Sequence, residues 1–183
     1  MEQPRGTITE LSVAWLDGLD DEQAAVELSV CCAADAWLTT MLAERPFRAL
    51  RSLHGASDAI IRLMDDAALG QALAAHARIG ERRDGTTRED NWSRTEQSAA
   101  LAADEDLTSR LAEGNREYEE RFGHVFLIRG SGRTAEEMYD ALRSRLTNDA
   151  EAERAVVRRE LAEIVRLRLT KLVTQGEAQG ETQ

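Results

Sequence analysis

The chain has 183 residues, 42% apolar and 31% charged, with only 4% aromatic side chains, a balance that suits one or two soluble globular domains and not a disordered tail. Its 34 acidic and 23 basic residues leave a net charge of −11, which opposes docking along a polyphosphate backbone and argues against a nucleic-acid partner. No apolar run approaches the roughly 18 to 20 residues that span a bilayer, and the N-terminal MEQPRGTITE lacks the layout of a signal peptide, so a cytoplasmic protein without a membrane partner is expected.

Only Pro4 and Pro46 interrupt a chain rich in Ala, Leu, Arg and Glu, so the fold class is all-α, a single-domain compact bundle of about seven to nine helices. The domain is expected over 11–173, after a flexible N-terminus (1–10) and before a disordered tail (174–183). A first helix is predicted from Asp21 to Ala43, entering through acidic residues and stopping before Arg45-Pro46. Cys31 and Cys32 are adjacent within it and read as reduced core thiols. Ser57 is the expected cap of the next helix, and Leu69 and Leu73 lead a short one up to His76.

The run from Gly80 to Asn91 has no apolar side chain and reads as an exposed loop. Ser93 and Glu96 then have the spacing of a capping box, opening a helix from Arg94 to Ala103. Leu107, Leu111, Tyr118 and Phe122 trace one face of a helix that ends at Gly123. Val125–Phe126–Leu127–Ile128, held between glycines, is too short for a helix and too apolar for an exposed loop, so a buried extended segment is expected. Thr134 and Glu137 box the start of a helix through Leu146, and the last helix is predicted from Asp149 to Val173.

The phosphate-cradling loop, the dinucleotide glycine motif, HExxH and GxSxG are all missing from the sequence. His54, His76 and His124 lack metal-ligand spacing, so no metal site is expected. One arginine stands out on periodicity. In the last helix Val157, Leu161, Ile164, Val165 and Leu172 form the apolar stripe, and Arg168 projects within about 20° of its centre at Leu161, whereas Arg166 lies about 140° away. A core-facing guanidinium needs an internal acid or an anionic ligand. Read singly, His76 ends a helix, Glu96 completes a cap, and Tyr118, Phe122 and Phe126 are core residues.

Taken in order, these segments resemble the 2-oxo-4-hydroxy-4-carboxy-5-ureidoimidazoline (OHCU) decarboxylases of urate degradation. The likeness runs from Trp15 to Val173 through Arg45-Pro46-Phe47, Leu53-His54, His76-Ala77-Arg78-Ile79-Gly80, Ser93-Arg94-Thr95-Glu96-Gln97, Asn115 to Tyr118, Phe122-Gly123-His124-Val125-Phe126-Leu127-Ile128 and Arg166-Leu167-Arg168-Leu169. Ala77 stands where the family's motif has proline after the histidine. The resemblance implies an all-helical homodimer that decarboxylates a small ureidoimidazoline to (S)-allantoin with no cofactor. It implies catalytic roles for His76 and Glu96, and substrate contacts from Ser93, Gln97, Arg168, Phe122, Phe126 and Ile128. The alternatives are a paralogue acting on another ureide or carboxylated heterocycle, and a noncatalytic helical interaction module. The enzyme needs His76, Glu96 and Arg168 to converge on one partly apolar cavity, whereas the module gives them unrelated local roles.

Overall fold

The computed structural model describes residues 12–81 and 86–180; the expected flexible N-terminus, the middle of the 80–91 loop with Arg82 and Arg83, and residues 181–183 lie outside them. The described residues form ten helices and no strand. These are α1 (Ala14–Gly18), α2 (Asp21–Ser29), α3 (Asp35–Ala43), α4 (Leu50–Leu63), α5 (Asp66–Ala74), α6 (Arg88–Glu96), α7 (Ser98–Leu101), α8 (Glu105–Phe122), α9 (Ala135–Arg145) and α10 (Ala150–Gly180).

The extra elements come mostly from breaks that propensity does not announce. The helix expected over 21–43 is two, α2 and α3, joined by a turn that buries both Cys31 and Cys32. A straight rod of that length would span about 35 Å, and the turn instead brings Leu28, both cysteines, Trp37 and Met41 into one core. Neither cysteine is in a disulfide, and burial pushes the Cys31 thiol up, keeping it protonated and unreactive. Ser57 is not a cap either. It lies inside α4, buried, where its hydroxyl accepts a hydrogen bond from Trp37 Nε1 at 3.1 Å.

Elsewhere local signals carry through. The Asp104 carboxylate caps α8, and Gly123, at φ 76°, ends it in the left-handed conformation that glycine adopts without strain. Thr134 and Glu137 form the expected box at the start of α9. Residues 124–130 are irregular, with Phe126, Leu127 and Ile128 buried. Leu127 belongs to the larger core, built from α1–α5 and α10, while Phe126 and Ile128 belong to a second core under α8 and α9. The segment is therefore a partition between two cores.

The long helix α10 spans about 46 Å and lines the larger core with Val157, Leu161, Ile164, Val165, Leu169, Leu172 and Val173. It does not stop at Val173 as the sequence suggested. Gly176 packs under the Trp15 ring, where an added Cβ would stand 2.1 Å from Cε3, and Glu177 Oε1 accepts the Trp15 N–H at 2.9 Å. Gly176→Ala is expected to destabilise the fold by about 1–3 kcal/mol, read from the urea midpoint and Trp15 emission; an unchanged midpoint would mean that this last stretch of α10 contributes no packing.

Candidate active site

Four elements build the site. The first is the turn after α5, where the His76 N–H donates to Leu73 O at 3.0 Å. Beyond it the buried Asn115 of α8 donates from Nδ2 to Ile79 O at 2.9 Å. The Gln97 amide clasps the same turn from the other side, donating to Ala77 O and accepting from Gly80 N–H, both at 3.3 Å. His76, half-buried, is thus held on a backbone tied at three places.

The second element, α6, corrects the expected cap. Its capping box is Thr87 with Asp90, six residues before the Ser93–Glu96 box expected from the sequence. Asp reaches the N-cap amide from the third helical position as Glu does, so the polar stretch before Ser93 was already helix. Ser93 and Glu96, one turn apart and both buried, are released from capping and turn into the interior.

There Glu96 meets α10, the third element. Arg168 is 3% exposed and forks onto the Glu96 carboxylate, Nε to Oε1 at 3.2 Å and Nη2 to Oε2 at 3.0 Å, with Lys171 Nζ 3.5 Å from Oε1. The core-facing arginine selected by periodicity has found an acid 72 residues away in sequence. Arg166, on the opposite face, pairs near the surface with Asp58.

The fourth element is the 126–131 wall. Together these parts enclose a cavity of about 20 Å³, room for about one water, lined among others by His76, Ser93, Glu96, Gln97, Phe126 and Ile128. Six of the eight site residues expected from the sequence therefore share one cavity. Arg168 reaches it through Glu96, outside the wall itself. Phe122 does not line it and packs instead on Tyr118, ring centroids 4.7 Å apart. Among the described residues no group of His, Cys, Asp and Glu is placed to hold a metal ion.

Gly130, which the sequence marks only as a boundary of the 125–128 run, closes the wall against α6. An added Cβ there would lie 2.4 Å from the Glu96 carbonyl oxygen, a backbone atom that cannot swing aside. Gly130→Ala is expected to push the wall from Glu96 and to destabilise the fold by about 1–3 kcal/mol, read from the urea midpoint, with the helical circular dichroism retained. An unchanged midpoint in that variant would show that the close approach is unimportant.

The OHCU decarboxylase family model matches residues 17–170. The chain belongs to the OHCU decarboxylase family. Its fold agrees, since a crystal structure of OHCU decarboxylase in the presence of (S)-allantoin superposes with a TM-score of 0.68 at 27% identity, covering 85% of this chain and 99% of that one. A crystal structure of (S)-allantoin synthase shares the fold at 17% identity, with a TM-score of 0.67 over 88% of this chain and 54% of that one. Among relatives of this OHCU decarboxylase family member, the uric acid degradation bifunctional protein TTL of Arabidopsis thaliana is 31% identical over 80% of this chain and 46% of that protein. The bifunctional protein PucL of Bacillus subtilis is 27% identical over 92% of this chain and 33% of that protein. The chain thus spans less than half the length of either bifunctional relative.

Proposed function

We propose that this chain converts OHCU to (S)-allantoin and CO2 with no cofactor. The observation that carries the reading is the meeting of His76, Ser93, Glu96 and Gln97 in one cavity walled by Phe126 and Ile128, in a member of this family. A helical interaction module gives Arg168 an internal acid, which Glu96 supplies, but it also makes Glu96 a cap and His76 a mere helix end, whereas Thr87 and Asp90 form the cap and both residues line the one cavity.

The substrate supplies its own electron sink. The bond from C4 to the carboxylate breaks, its electron pair forms a C4–C5 double bond, and the C5=N pair moves onto nitrogen, which takes a proton. The C4 hydroxyl then loses its proton to become a carbonyl as C5 takes a proton on one face. His76 handles the hydroxyl proton, while Glu96 accepts from the ureido or ring N–H groups and sets the face. Arg168 and Lys171 place positive charge behind Glu96, offsetting its repulsion of the anionic substrate. Gln97 fixes the His76 turn, and Phe126, Ile128 and Ser93 shape the pocket. A ureidoimidazoline is far larger than the enclosed space, so the walls part to admit it.

The test generates OHCU in place from urate with urate oxidase and 5-hydroxyisourate hydrolase, then follows circular dichroism with and without the protein. Faster decay to (S)-allantoin is expected. Decay at the spontaneous rate to racemate from a folded sample overturns the reading. On the same reading the chain is a cytoplasmic homodimer, with twice its 20.3 kDa mass by light scattering.

A further inference from the structure

The cavity wall at 126–130 is neither helix nor strand, so its backbone polar groups have no ladder to satisfy them. Two of them are taken by buried side chains. Leu127 C=O accepts from Arg145 Nη1 at 2.7 Å, and Arg129 N–H donates to Glu160 Oε2 at 2.9 Å. Arg145 is itself fixed by Glu153, whose Oε1 accepts from Nε at 2.8 Å and Nη2 at 2.5 Å. Glu153 also accepts from the Tyr118 hydroxyl and from Asn148 Nδ2 at 2.8 Å. Burial opposes the charge on Glu153, but these hydrogen bonds outweigh it and hold its carboxyl below the ordinary range. The Arg145 guanidinium lies 4.5 Å from the centroid of the Phe126 ring, on the wall itself.

Glu153, Glu160, Ile164 and Arg168 fall within about 80° of one another around α10. One helix face therefore holds Glu96 through Arg168 and the opposite cavity wall through Glu160 and the Glu153–Arg145 pair. Well-packed apolar side chains would stabilise such a position as well as buried ions do, so stability alone does not call for this chemistry.

We infer that Glu160 and the Arg145–Glu153 pair are positioning residues that fix where Phe126 and Ile128 stand relative to Glu96. The kinetic part of this inference rests on the decarboxylase reading; the structural part does not. Glu160 is the residue to change, because its replacement leaves the Arg145–Glu153 pair in place.

The experiment compares wild type, Glu160→Gln and Glu160→Met by amide hydrogen exchange at Arg129 and by decarboxylation kinetics with the enantiomeric excess of allantoin. Methionine keeps the packing and loses the acceptor, so Arg129 exchange is expected to rise at least about tenfold, with kcat/KM about tenfold lower and a smaller excess of the (S) product. Glutamine keeps an acceptor oxygen and is expected to restore all three to within about threefold of wild type. Unchanged Arg129 exchange in Glu160→Met overturns the inference, as does faster exchange with wild-type kinetics, or a glutamine variant as impaired as methionine. If wild type itself does not decarboxylate OHCU, the substrate reading fails, and exchange at Arg129 still decides whether Glu160 holds the wall.

Discussion

Arg168→Met is expected to destabilise the protein by about 3 kcal/mol and to abolish more than about 99% of decarboxylation. The guanidinium is 3% exposed and the Glu96 side chain 9%, so the variant leaves a carboxylate in the interior with its forked partner gone. Lys171 Nζ, 3.5 Å from the same carboxylate and one-third exposed, softens the loss, which places the value at the low end of the 3–5 kcal/mol typical of breaking a buried pair. For a chain of this size that is a fall in Tm of about 6–12 °C. The double variant Glu96→Met with Arg168→Met separates the two effects. Two apolar side chains of similar volume remove the unpaired charge, so stability is expected to return to within about 1 kcal/mol of wild type while activity stays lost. A double variant as unstable as the single would show that the orphaned carboxylate is not the cause.

That pair also marks how far the sequence could be read. Arg168 was legible because a 3.6-residue period fixes which way a helical side chain points, and a charge in an apolar stripe violates the pattern. Its partner was not. Glu96 sits at the spacing of a capping box with Ser93, a complete local explanation, while the true box at Thr87 and Asp90 lay in a stretch that its polarity marked as loop. The ends of α8 and α9 and the 125–128 wall were readable because a glycine, a Thr–Glu box and an apolar run between glycines each act within a few residues. The turn between α2 and α3 has no such mark; only tertiary packing of Leu28, Trp37 and Met41 demands it. Arg145 and Glu160 follow the same logic. Single charged residues on helices usually face water, and only the backbone groups of a distant irregular segment give these two their place.

His76→Gln is expected to lower kcat by about 10²- to 10⁴-fold with little change in stability. The turn is held through backbone atoms, by the His76 N–H bond to Leu73 O, the Gln97 clasp and the Asn115 bond to Ile79 O. The loss should therefore appear in catalysis and not in Tm. OHCU also decays without protein, so product stereochemistry gives an independent reading. When enzymatic turnover falls toward the spontaneous rate, product should shift from (S)-allantoin toward racemate, because protonation at C5 then occurs free in solution. Glu96→Gln provides the contrast: it weakens the fork to Arg168, so its loss of activity should come with a lower Tm. Chiral chromatography of allantoin alongside thermal melts of the two variants reads both quantities. A His76→Gln variant that keeps wild-type turnover and stereoselectivity would remove His76 from the proton transfer and leave the chemistry to Glu96 and its cationic partners.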